Sequence, residues 1–243
     1  MDSLSRKILW LGSLAALVVL LSVAFAARPV PITPFTAQTT EAEYDNDGIQ
    51  KSIELRTTAV KASGVQVETL DTLDGRHVWN STILDLNKAV RISLDPATES
   101  ATTYPMNSKE IVTARQILNS CADSPGAEHR SLWGHMTFKN IDDRQAGTSS
   151  FHTESWLAPD LNCFPLEVTM VFFRSGVRIG KKSKQVTSLT VGEPAASLFV
   201  VPPGFVERTP SEVFAELARR TGTPCTECAK AAVLDDAYRS HRP

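Results

Sequence analysis

The chain has 243 residues, 42% of them hydrophobic, and its 25 lysines and arginines stand against 27 aspartates and glutamates for a formal charge of −2. A balance this near neutral gives no electrostatic case for nucleic acid. That share of apolar residues argues against disorder throughout and for at least one sizeable core.

Met1-Asp-Ser-Leu-Ser-Arg-Lys7 leads into an apolar run, residues 8–27, interrupted only by Gly12, Ser13 and Ser22 and uncharged until Arg28. A basic stretch before an apolar one is the form of an export signal, and Arg6 and Lys7 keep the N-terminus in the cytoplasm while the rest crosses. Ala24-Phe-Ala26 has the small-x-small form that signal peptidase accepts, yet about 20 apolar residues also suffice to span a bilayer as a transmembrane helix. Residues 1–27 therefore read as a signal peptide or as a membrane anchor, and both fates stay open. Either way, the remainder is expected outside the cytoplasm.

Residues 28–50 contain Pro29, Pro31, Pro34 and Asp45-Asn-Asp-Gly48 without apolar periodicity, which predicts a linker. From residue 51 to 208 the texture is that of strands. Ile53 and Leu55, then Val65 and Val67, alternate with polar neighbours, a period of two that marks half-buried strands. Asp74-Gly75 and Asp95-Pro-Ala-Thr98 are hairpin turns, each followed by a β-compatible run. Ser108 is the expected N-cap of a helix whose Ile111, Ala114, Ile117 and Leu118 share one face. Strands resume at 132–141, 148–157, 164–174 and 185–191, with a turn at 176–180 between the last two. Short connections imply antiparallel pairing, because parallel pairing needs long crossovers. Residues 209–243 read as a helical extension carrying Cys225-Thr-Glu-Cys228. The predicted fold class is mainly β (α+β): a curved antiparallel sheet with a helix and a short helical C-terminal extension.

Four segments in order, Asp71-Thr-Leu-Asp-Gly-Arg76, Ile92-Ser-Leu-Asp-Pro-Ala-Thr98, Glu154-Ser-Trp-Leu-Ala-Pro-Asp-Leu161 and Gly192-Glu-Pro-Ala-Ala-Ser-Leu-Phe-Val-Val-Pro202, resemble a class of uncharacterised exported bacterial proteins. The resemblance covers roughly residues 55–206. It implies a lipoprotein-carrier (LolA-like) half-barrel, a curved sheet that wraps a helix and presents a hydrophobic concavity. It implies a location in the periplasm or on the outer face of the membrane, and no catalytic residues. The insert around Cys121 and the C-terminal extension depart from the class. Trp156 is expected to bury its ring at a strand end, and Leu198, Phe199 and Val201 to close over the core.

Cys121, Cys163, Cys225 and Cys228 are an even number in a chain bound for an oxidising space, so disulfides are the default. The Cys225-x-x-Cys228 spacing favours pairing within that motif, leaving Cys121 with Cys163. A C-x-x-C at a helix start also supports thiol-disulfide exchange, but no strand precedes it as a thioredoxin-type arrangement requires. His77, His129, His135 and His152 lack the spacing of a metalloprotease motif; His135 and His152 are the pair that could meet across neighbouring strands. Gly-x-Ser-x-Gly and phosphate-loop motifs are absent. Arg174, Arg178, Lys181, Lys182 and Lys184 crowd one hairpin, where contact with an anionic lipid surface competes with simple solvation.

These readings add up to a non-enzymatic envelope protein that needs no cofactor and binds a lipid or other apolar ligand in a curved sheet. A redox protein using Cys225 and Cys228, and a structural or sensing domain for a protein partner, are the alternatives.

Overall fold

The computed structural model of the chain describes residues 31–71, 78–119, 121, 126–225 and 235. Two units divide the chain, Met1–Pro31 and Ile32–Pro243. The export segment expected at residues 1–27 lies outside the described residues, as do Asp74-Gly75, His77 and Cys228. No helix among the described residues is long and apolar enough to cross a membrane.

Among the described residues the second unit is built on one sheet of twelve strands: β1 (Phe35–Asp45), β2 (Gln50–Val60), β3 (Gln66–Asp71), β4 (Val78–Asp85), β5 (Val90–Asp95), β6 (Ser100–Pro105), β7 (His129–Leu132), β8 (His135–Ala146), β9 (Ser149–Ala158), β10 (Phe164–Arg174), β11 (Val177–Val191) and β12 (Val206–Glu207). Their order across the sheet is β12-β6-β5-β4-β3-β2-β1-β11-β10-β9-β8-β7. Two meanders, β1 to β6 and β7 to β11, join where β1 pairs antiparallel with β11. The short β12 adds a parallel pairing to β6. The result is the open curved antiparallel sheet, a half-barrel, that the sequence predicts.

Three local expectations are corrected. Residues 35–45, inside the predicted linker, form the central strand β1. Its inward side chains are Phe35, Ala37 and Thr39, all fully buried, and they alternate with Thr36, Gln38 and Thr40. With threonine on both faces and small alanine at the core, period two carries little hydropathy contrast. The strand expected at 132–141 is a hairpin, turned at Trp133 and Gly134, both at positive φ (55° and 80°). The turn expected at 176–180 is only Ser175-Gly176, whose φ values of 50° and 77° suit the tight turn that matches strand twist. Residues 177–180 belong to β11, with a register shift opposite Phe172 and Phe173.

Two apolar clusters hold the sheet. One gathers Phe35, Ala37 and Val60 with Leu161, Leu166 and Val186, and the ring of Phe164 packs 4.9 Å from that of Phe35. The other lies on the opposite face of β2 to β6, where Ala59, Val67, Ile83, Leu94 and Ala101 are covered by Phe199 and Phe205. Phe199 ends a short 3₁₀ turn, Ala196–Phe199. It closes the core as expected, whereas Leu198 and Val201 remain partly in solvent. Fully burying a large apolar side chain is worth about 1.5–3 kcal/mol, and the partly buried Phe199 and Phe205 gain a share of it, which ties this C-terminal segment to the sheet.

Helix α1 (Ser108–Asn119) follows β6. Its cap is Asn107, one residue before the expected Ser108: the Glu110 N–H donates to Asn107 Oδ1 and the Asn107 N–H donates to Glu110. Asparagine wins because this reciprocal pairing satisfies two helix-end donors at once. Helix α2 (Pro210–Thr221) opens on a similar box formed by Thr209 and Glu212. The Thr209 and Ser211 hydroxyls also donate to Asp235, which is buried.

Candidate functional site

Alternation along β2, β3 and β4 decides which side chains face the open side of the sheet. Register places Arg56 beside Leu70, Thr58 beside Glu68 and Gln66 beside Leu84, and Leu84 beside Arg91 of β5. The residues between them, Ala59, Val67 and Ile83, fill the core on the other side. The open side holds a cavity of about 420 Å³ whose apolar surface comes from Leu70, Leu84 and Met106. Arg56, Glu68, Asn80 and Arg91 supply its charged and amide groups.

The charges form an ordered set. Arg56 holds Glu54 and Glu68 at 2.7 Å each and approaches Glu41 at 3.4 Å. Burial works against its charge, but Glu68 and Glu54 overcome that and raise its pKa. Lys182 pairs with the same Glu41 and, at 3.3 Å, with Glu43. Lys184 makes no ion pair among the described residues, although the charge of Glu68 reaches it. Its ammonium sits 5.7 Å from the Phe164 ring centroid, and burial lowers its pKa. Arg91 stacks on Tyr104 at 5.0 Å. The cavity is therefore mixed: an apolar patch bordered by one neutralised guanidinium and one without an ion pair among the described residues.

The five cations crowded in the sequence are separated by the pleat. Lys182 and Lys184 turn to the open side of the sheet, while Arg174 and Arg178 are exposed at the β10–β11 tip and Lys181 lies just below it.

Cys121 and Cys163 are both free and half-buried, so the pairing expected between them is not made. Cys163 sits at φ 65° in the loop before β10, where the side-chain direction is fixed by the backbone. Burial pushes its thiol pKa up, which leaves little thiolate for attack near neutrality. Cys225 is disulfide-bonded.

His135 and His152 do not meet. His135 pairs with Asp160 at 2.7 Å, and His152, toward the other end of the β8–β9 hairpin, lies 2.6 Å from Asp143 and 3.4 Å from Glu154. Among the described residues no three His, Cys, Asp or Glu side chains are grouped to hold a metal ion. From β7 the guanidinium of Arg130 covers Trp156 of β9, which is buried at its strand end as expected.

Sequence reading missed Glu41, Arg56, Glu68 and Arg91. Each looks like an ordinary polar strand residue, and only strand register brings Arg56, Glu68 and Arg91 to one cavity and Glu41 up to Arg56. The available signal was the two-residue spacing of Glu54 and Arg56, which puts both on one face.

No family model and no curated protein matches the chain. Among solved structures, the chain is similar to a conserved protein of uncharacterised function from Thermus thermophilus, at 15% identity and a TM-score of 0.42, covering 72% of this chain and 91% of that one. A LolA superfamily protein from Nitrosomonas europaea aligns at 7% identity and a TM-score of 0.32, covering 70% and 91%. A domain described as an outer-membrane lipoprotein-sorting protein, from Vibrio parahaemolyticus, aligns at 10% identity and a TM-score of 0.32, covering 68% and 89%.

Proposed function

We propose that this is an extracytoplasmic binding protein, not an enzyme, that holds a lipid or similar amphiphile on the open side of its half-barrel. The observation that carries the reading is the cavity of about 420 Å³ beside Leu70, Leu84 and Met106. Small-molecule sites span roughly 300–1,000 Å³ and combine an apolar wall with a few placed polar groups. Leu70, Leu84 and Met106 supply the wall, and Arg91 is the lining cation that no carboxylate among the described residues pairs. An amphiphile with an anionic or strongly polar end fits that division better than a pure hydrocarbon. The basic and apolar N-terminus supports export, and within this reading Cys225 and Cys228 form a structural brace in an oxidising space.

The test is to purify the exported chain without lipid-stripping detergent, extract it with organic solvent and identify what it carries by mass spectrometry. An amphiphile at near-equal amount is expected, and Leu70→Trp with Leu84→Trp is expected to expel it while the fold is retained. A wild-type protein that carries nothing and fails to bind a fluorescent fatty acid sinks the proposal.

A further inference from the structure

The apolar side chains left outside both cores include a group at one end of the sheet. The first residues of β11, next to the β10–β11 turn, expose Val177 (66%) and Ile179 (46%), and the neighbouring β1–β2 turn exposes Ile49 (58%). The two turns are adjacent by register, because Asp45 pairs with Gly180 across β1 and β11, and Asp45 also closes the β1–β2 turn by accepting from the Ile49 N–H. Gly180 is what lets them approach: a Cβ there would meet the Tyr44 carbonyl oxygen at 3.0 Å. Three exposed aliphatic side chains therefore lie at one end of the sheet, where a charged tip is the usual solution for a soluble sheet.

The charges around them are not balanced. Arg174 and Arg178 are exposed beside Val177, and Lys181 follows directly after Gly180; none of the three has an ion-pair partner among the described residues. The acids nearby are mostly spent. Asp45 pairs with Lys51 at 2.7 Å, Glu43 with Lys182, Asp142 with Arg144 and Asp143 with His152. Asp47 is the one acid of the β1–β2 turn without a cation among the described residues. Three cations without an ion pair stand against Asp47, and against Asp143 as well when His152 is neutral, which leaves this end positive.

We propose that this end of the sheet docks on an anionic bilayer surface, with Val177, Ile179 and Ile49 entering the headgroup boundary and Arg174, Arg178 and Lys181 meeting lipid phosphates. The combination of aliphatic tips and free cations matches such a surface, because each cation near anionic lipid adds attraction and the aliphatic groups gain by leaving water. A solvated tip would not need the aliphatics, and an apolar protein partner would not need the cations. The inference is independent of what the cavity holds: the cavity is lined by β2 to β5 and Met106, and the docking end is made by the turns of β1–β2 and β10–β11.

The experiment uses the full chain with nanodiscs of phosphatidylcholine alone, or of phosphatidylcholine and phosphatidylglycerol in equal parts, and follows backbone hydrogen exchange of residues 174–181. Reading this segment separates its contact from any membrane association of residues 8–27. Exchange is expected to slow at least tenfold on the phosphatidylglycerol discs relative to the neutral ones. Arg174→Glu with Arg178→Glu is expected to abolish the difference, and Val177→Ser with Ile179→Ser to reduce it about tenfold. Equal exchange on the two discs, or protection that survives the double charge reversal, overturns the proposal. Extracting and identifying the bound amphiphile from the Arg174→Glu, Arg178→Glu protein keeps the two proposals apart, since cargo is expected to be retained there.

Discussion

The guanidinium of Arg130 lies 3.8 Å from the centroid of the Trp156 ring and pairs with Glu167 on the next strand. This stack covers the face of the half-barrel between β7 and β10, where β9 and β10 shift register near Leu166. Trp156→Ala is expected to cost about 3–5 kcal/mol, the usual range for deleting a buried tryptophan. Arg130→Lys keeps the charge but not the planar contact, and about 1 kcal/mol is the expected loss. Urea unfolding measures both. Equal destabilisation by the two variants contradicts the stacking account.

Thr39 is fully buried on β1, and its hydroxyl has no hydrogen-bond partner among the described residues. A buried hydroxyl without a partner costs roughly 1–3 kcal/mol, and valine has nearly the same shape. Thr39→Val is therefore expected to stabilise the fold by about 1 kcal/mol, read from the urea midpoint. A destabilised variant means that the hydroxyl is satisfied, by water or by a ligand.

His152 is held above its ordinary pKa first by its hydrogen bond to Asp143 and then by Glu154. The folded state thus favours the charged imidazole. Its stabilising contribution is complete below the unfolded value near 6.5 and is lost as pH rises through the raised folded value. An NMR titration of the ring is expected to show a midpoint above 6.5, and Asp143→Asn is expected to bring it down. A wild-type midpoint at or below 6.5 contradicts the geometry.

Cys121 and Cys163 are expected to be alkylated without prior reduction. Cys163 should react slowly at neutral pH and faster as the pH is raised, because burial holds its thiol protonated. Mass spectrometry after iodoacetamide gives the answer. A mass that shows both sulfurs blocked until dithiothreitol is added restores the bond between them.

The hairpins were the most legible part of the chain. Asp95-Pro-Ala-Thr98 closes as expected, with Asp95 Oδ1 accepting from the Ala97 N–H, because turn chemistry is encoded within a few residues. β10 was equally plain, its residues 164–174 rich in Phe and Val, the residue types that suit a half-buried pleated surface. β1 was not, since Thr36, Thr39 and Thr40 hide its alternation behind three prolines. The candidate site was less visible still. Glu41, Arg56, Glu68 and Arg91 are spread over some fifty residues, and nothing local distinguishes them from solvated strand positions.

By itself the sequence determined the alternation of faces, most of the places where the chain turns and the antiparallel class, all of which depend on short-range steric and hydropathy patterns. Tertiary structure alone decided the rest. It placed β1 against β11 across some 150 residues of sequence, set Arg56 among three glutamates, packed Phe199 and Phe205 against the far face and divided five neighbouring cations between an inner wall and an outer tip. Each of those outcomes rests on strand register, and a shift of one residue would send every side chain to the opposite face.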